Sequence, residues 1–212
     1  DHELSIAVLP FADLSQQQDQ GYFCEGIAEE VLNALSRIQG LRVASRTSAF
    51  RFRERAADIA DIGRKLKVRA LLEGSVRKSG ERLRIAVQLS DTDSGYQLWS
   101  QAFDREFKDI FAIQEEIARR VAQELEVTLS PKETAALRKT PTSNTEAYDF
   151  YLRGRSYYYR YSPRDVSYAT GLFTRAVERD AAYALAFAGL ADCWSYLYLY
   201  SERNPALLDQ AD

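Results

Sequence analysis

Two pairs of adjacent glutamates, Glu29-Glu30 and Glu115-Glu116, come closest to a general acid–base couple in this chain. Such a couple hydrolyses a bond only when two carboxylates face it from opposite sides. Neighbours on a helix project about 100° apart, so solvated helix faces are the expected reading of both pairs. Gly74, in Leu72-Glu73-Gly74-Ser75, would suit a phosphate loop, but the Lys-Ser/Thr ending is missing. It sits inside a strand pattern and reads as a bulge or a close-packing glycine. Cys24 and Cys193 are two isolated thiols, and the sole histidine, His2, stands at the start of the chain. Nothing is left to activate a thiol, build a Ser-His-Asp triad or complete a histidine metal cluster. We therefore assign no catalytic, cofactor-binding or metal-binding residue and expect no enzyme activity.

Two clusters offer recognition chemistry instead. Arg46 to Arg55 interleaves arginines with Phe50 and Phe52, a pattern that stacks on bases in single-strand binders. A connecting loop whose phenylalanines cover a sheet edge is the more ordinary reading. The other cluster is Tyr148, Tyr151, Arg155 and Tyr158, which helical spacing brings to one face. Tyrosine and arginine are enriched where interfaces concentrate their binding energy, so these four are the candidate partner-binding residues. The competing reading is that the tyrosines pack against neighbouring structure.

Composition limits the partners. The chain has 212 residues, with Lys+Arg 28 against Asp+Glu 31 and a net charge of −3. No global positive field draws it to nucleic acid, and no apolar run approaches the roughly 20 residues of a membrane helix. At 46% apolar and 28% charged it reads as globular. No Met is present, so Asp1 reads as a cut rather than a natural start. Unpaired cysteines point to the cytoplasm and leave the periplasm open.

Tyrosine usage marks a seam: eleven of the 13 tyrosines fall between Tyr148 and Tyr200. Before it, strand and helix signals alternate. Ser5 to Phe11 is a short branched apolar run that Pro10 ends. Ile27, Val31, Leu35 and Ile38 recur at helical spacing, and Leu41 to Ala44 reads as a strand parallel to the first. A helix is expected over Ala56 to Leu66. Strands at Ala70 to Lys78, Arg82 to Asp91 and Tyr96 to Arg105 follow, with turns at Ser79-Gly80 and Asp93-Ser94-Gly95. Leu83, Ile85, Val87 and Leu89 alternate against Arg82, Arg84 and Gln88, so one sheet face is greasy and the other polar. A final helix, Asp109 to Leu129, supplies Ile110, Ile113, Ile117, Val121 and Leu125. The expected architecture is α/β: a two-layer mixed sheet of about five strands with helices on one face.

Beyond a polar linker the pattern turns helical. Phe150, Gly154 and Tyr157 share the spacing 0, 4, 7 with Ala169, Phe173 and Ala176; Phe187, Leu190, Ala191 and Trp194 continue it. Gly154, Ala169, Ala176 and Ala191 let helix axes approach. These positions resemble the tetratricopeptide repeat, although Ala181 replaces its usual proline and Leu152-x-Gly154 departs from its leucine-glycine pair. One repeat is complete and a second is cut short after Pro205. Such units stack on neighbours, so the incomplete array implies sticky apolar helix surface and makes a homodimer one way to cover it.

The first part carries a further likeness. Ile6 to Phe11, Tyr22 to Glu30, Ala34 to Ile38, Leu71 to Arg77, Leu98 to Ser100 and Asp109 to Gln114 together resemble the TolB amino-terminal-like domain. In bacterial regulatory proteins that domain commonly precedes tetratricopeptide repeats. The resemblance implies residues 1–130 as the α/β domain, 131–144 as a linker with a short helix, and 145–212 as the repeats. It implies a non-catalytic signalling region that binds a protein or peptide on the repeats' concave face. The alternative is an accessory region of a class III adenylate cyclase, a serine/threonine kinase or a winged-helix regulator whose effector lies elsewhere.

Overall fold

The computed structural model describes residues 4–53 and 58–201. Within them the chain divides into two compact units, split between Lys139 and Thr140. His2, Arg55, Ala56 and Pro205, which the sequence reading invoked, lie outside the described residues.

In the first unit the order is β1 (Ser5–Val8), β2 (Ala12–Asp13), α1 (Gly21–Leu35), β3 (Arg42–Val43), α2 (Arg46–Ala49) with a 3-10 turn over Phe50–Phe52, and α3 (Ile59–Leu66). There follow β4 (Ala70–Ser79), β5 (Arg82–Asp91), β6 (Gln97–Glu106), a second 3-10 turn, α4 (Ile110–Glu124) and α5 (Pro131–Leu137). The sheet runs β3-β1-β4-β5-β6, with β2 also pairing β4. β1 lies parallel to β3 and β4, while β4, β5 and β6 form an antiparallel meander. The mixed α/β class is as the sequence implied. The sheet has six strands rather than about five, because Pro10, unable to donate to a ladder, splits the first apolar run into β1 and β2.

Alternation in β5 sets the layers. Leu83, Ile85, Val87 and Leu89 are buried against the apolar faces of the two long helices, Ile27, Val31 and Leu35 on α1 and Ile110, Ile113, Ile117 and Val121 on α4. Burying each such side chain stabilises by about 1.5–3 kcal/mol before entropy is counted. All of β1 is buried, and so is Leu71, which points opposite to Leu72. That end of the sheet is therefore covered on both sides. From Glu73 onward alternate side chains of β4 are only partly buried. α4 stops at Glu124 rather than Leu129, where Glu126 takes a left-handed turn at φ 57°. Gly74 sits in unbroken β4–β5 register, and a Cβ there would lie 2.8 Å from the Phe11 ring. It is a close-packing glycine; the irregularity in the sheet falls at Leu89/Ser90.

The second unit contains α6 (Thr145–Tyr158), α7 (Pro163–Arg179) and α8 (Ala184–Tyr200). The starts of α6 and α7 are legible, whereas α8 begins without a side-chain cap. The Asn144 side chain accepts from the Glu146 and Ala147 N–H groups, and Ser162 caps α7 with Pro163 in the first turn. Thr142 donates to Asp180, and the Asn144 amide donates to Arg179 O at 3.0 Å, tying the start of α6 to the end of α7. Phe173 is fully buried, with its ring wedged between Gly154 on α6 and Gly189 on α8.

Candidate functional site

The helical unit groups an arginine with tyrosines at the C-terminal end of α6. Helical spacing stacks Tyr151, Arg155 and Tyr159 one turn apart. The Arg155 guanidinium donates to the Tyr151 hydroxyl at 2.7 Å and also to the Tyr159 hydroxyl. It lies over both rings, 5.7 Å from the Tyr151 centroid and 4.9 Å from that of Tyr159. These contacts hold Arg155 between the two tyrosines.

Beyond it an aromatic ridge crosses to α8. Tyr158 and Tyr161 have ring centroids 5.6 Å apart, Tyr161 and Tyr196 6.0 Å, and Tyr196 and Tyr200 4.8 Å. The Tyr196 hydroxyl donates to Tyr161 O at 2.6 Å and locks the α6–α7 turn to α8. Tyr161 is 58% and Tyr200 68% exposed, and Leu199 is exposed beside them. Burial, with the Asp192 carboxylate next in weight, pushes the Tyr158 hydroxyl up to about 12.

The four expected partner residues separate in depth. Tyr148 and Tyr151 are buried, and Tyr151 meets the rings of Phe173 at 5.8 Å and Tyr183 at 5.2 Å. Neither presents its ring to a partner on the described surface, because α7 and the start of α8 fill the space over that face of α6. Arg155 and Tyr158 are half-buried and stand near the ridge. The sequence reading takes the stretch from Trp194 to Tyr200, on a tyrosine-rich α8 with one charged residue, Asp192, as sticky apolar surface, and it does not join Tyr196 and Tyr200 to Tyr161 of the α6–α7 turn as partner residues. It also named Ala191 as a close-approach residue of α8, whereas Gly189 takes that place.

The remaining chemical candidates have other occupations. Glu29 faces Arg46 at 3.1 Å, and Glu25 meets both Arg46 at 3.6 Å and Arg53 at 2.6 Å. Arg46 also lies over the Phe50 ring at 4.6 Å. Arg46 and Arg53 of the basic cluster thus spend charge on α1, and Phe50 is buried. Glu115 pairs with Arg138 at 3.5 Å, and Glu116 accepts from Gln101 and Arg105. Burial pushes both Cys24 and Cys193 up to about 12. Among the described residues no group of three His, Cys, Asp or Glu could hold a metal ion. No described helix is long and apolar enough to cross a membrane. On the solvent side of the meander, small side chains including Ser75, Ala86, Ser100 and Ala102 leave a shallow depression of about 430 Å³.

A family model described as "HilA/YgeH-like transcriptional regulator, second domain" matches residues 2–120. A curated protein of Rhizobium meliloti (strain 1021), "Putative adenylate cyclase 3", is 37% identical over 187 residues, covering 88% of this chain and 32% of its own length. The chain thus spans about a third of that relative. Among solved structures, TolB from Acinetobacter baumannii is 16% identical and covers 59% of this chain and 29% of its own, with a TM-score of 0.43. Lipoprotein GNA1162 from Neisseria meningitidis is 16% identical over 57% of this chain and 99% of its own, also at 0.43.

Proposed function

We infer the role of this protein from one premise: the chain belongs to the HilA/YgeH-like transcriptional regulator family, whose second domain matches residues 2–120. It is a non-catalytic regulatory region that acts by binding protein. The α/β unit serves self-association and the helical unit holds a partner segment. The observation that carries this reading is the ridge Tyr158, Tyr161, Tyr196 and Tyr200 beside the ordered Arg155. Aromatic rings grouped around a fixed guanidinium give an anchor for an extended segment bearing a carboxylate.

We read the helices as tetratricopeptide repeats, a reading that the close approach of Phe173 to Gly154 and Gly189 supports. We place the repeat region at 145–212, the α/β domain at 1–130 and the connection at 131–144, in a cytoplasmic protein. A second reading is favoured by the Rhizobium meliloti relative: the same two units form the accessory region of an adenylate cyclase, coupling a bound signal to a catalytic part outside them.

Affinity capture from extracts of the source cell tests the reading, with the wild-type chain, Arg155→Ala and Tyr158→Ala as baits. A specific partner retained by wild type is expected to be lost or weakened about tenfold or more by either substitution. Equal retention by all three baits sinks the ridge as the binding surface.

A further inference from the structure

The sheet ends on β6, and among the described residues no strand lies beyond it. Its ten residues contain neither proline nor lysine, two common devices for blunting an edge. The register fixes which backbone groups remain unpaired. Phe107 N–H donates to Glu81 O at 2.8 Å, one step beyond the pair Arg82↔Glu106. Bonded and non-bonded pairs alternate along an antiparallel ladder. Trp99, Gln101, Phe103 and Arg105 therefore bond to β5, while Ser100, Ala102 and Asp104 aim their N–H and C=O groups at the open edge. These three side chains are exposed.

We propose that the chain dimerises by antiparallel pairing of β6 with β6 of a second copy, continuing the sheet across a two-fold axis at Ala102. This deepens the self-association part of the reading above and rests on it. Three bonded pairs, each exchanging two bonds, supply about six main-chain hydrogen bonds. The side chains select the second copy over an arbitrary peptide. With Ala102 on the axis, its methyl meets only the partner's Ala102. Ser100 stands opposite the partner's Asp104, a donor facing a carboxylate. On the other face Trp99 stands opposite the partner's Arg105, a ring facing a guanidinium. A register two residues away in either direction loses both pairings. The irregularity at Leu89/Ser90 distorts the ladder beside Leu98 and lies outside this stretch.

The test uses the 212-residue chain. Sedimentation over a concentration series is expected to show a monomer–dimer equilibrium. Ala102→Cys should form an intermolecular disulfide on mild oxidation, because directly opposed bonded residues have Cα atoms about 5.5 Å apart, within disulfide reach. Ser100→Cys alone should not cross-link through β6, whereas Ser100→Cys combined with Asp104→Cys should. Cys24 and Cys193 are buried and do not compete. Tyr96→Cys, at a site 77% exposed and outside the stretch, is the collision control. Ala102→Pro removes an N–H that faces the open edge and should raise the dimer dissociation constant about tenfold or more. If that variant does not fold, Ala102→Lys is read in its place. A chain that sediments as monomer throughout, or Ala102→Cys that cross-links no faster than Tyr96→Cys, overturns the proposal. Partner capture by the helical ridge is a separate readout, so either can fail without the other.

Discussion

Replacing Gly154 by alanine tests whether the helical unit is held together by the Phe173 wedge. The new Cβ would lie 2.7 Å from Phe173 Cε1 and 2.8 Å from Cδ1, closer than real Cβ atoms approach a neighbour. The ring has nowhere to withdraw, since a Cβ at Gly189 would already meet it at 2.8 Å from the other side. Overpacking of this kind costs about 1–3 kcal/mol, and alanine's helix propensity returns about 1 kcal/mol. The net expectation is a loss of about 1 kcal/mol, which moves the midpoint of a unit this size by about 4–8 °C. Gly171 in α7 supplies the control, because nothing lies within 4 Å of a Cβ there. Gly171→Ala should stabilise by up to about 1 kcal/mol, from propensity alone. Urea unfolding followed by Trp194 fluorescence in a Trp99→Phe background reads both. In a Phe173→Leu background the cost of Gly154→Ala should shrink, which a double-mutant cycle measures. If Gly154→Ala stabilises as much as Gly171→Ala, the wedge is refuted.

Two further outcomes follow from titrating groups. Burial holds the Cys24 and Cys193 thiols near 12, so a thiol reagent at pH 8 should leave both untouched in the native chain and modify both in denaturant. Rapid native labelling of either contradicts its placement. An unfolded tyrosine loses its proton near pH 10, whereas Tyr158 keeps its own up to about 12. The folded chain then holds the extra proton, so this contribution to stability is complete below pH 10 and is lost as pH climbs towards 12. Tyr158→Phe should flatten the fall in unfolding free energy across that window, and an unchanged slope counts against the burial.

Much of the α/β unit was legible because its signals are local. The alternation of Leu83 to Leu89, the turn at Ser79-Gly80 and the spacing of Ile110 to Val121 each depend on a few neighbouring residues. Boundaries were less legible where a single residue overrides the pattern. Pro10 split a strand, and Glu126 at φ 57° ended α4 before its apolar periodicity ran out. The candidate recognition surface was the least readable part. Spacing along α6 put Tyr148, Tyr151, Arg155 and Tyr158 together, but depth depends on what packs over them. Tyr183, from the start of α8, covers Tyr151, and no local pattern announces a contact across 32 positions. Gly189 carries no local signal for the same reason, since its partner Phe173 lies on another helix.

The claim that most needs testing is that this region regulates without making or breaking bonds. Its direct measurement is the adenylate cyclase rate of the Rhizobium meliloti relative after removal of the stretch that this chain matches. Turnover is expected to survive while its response to partner or self-association disappears. Loss of turnover from a remainder that still folds would contradict it.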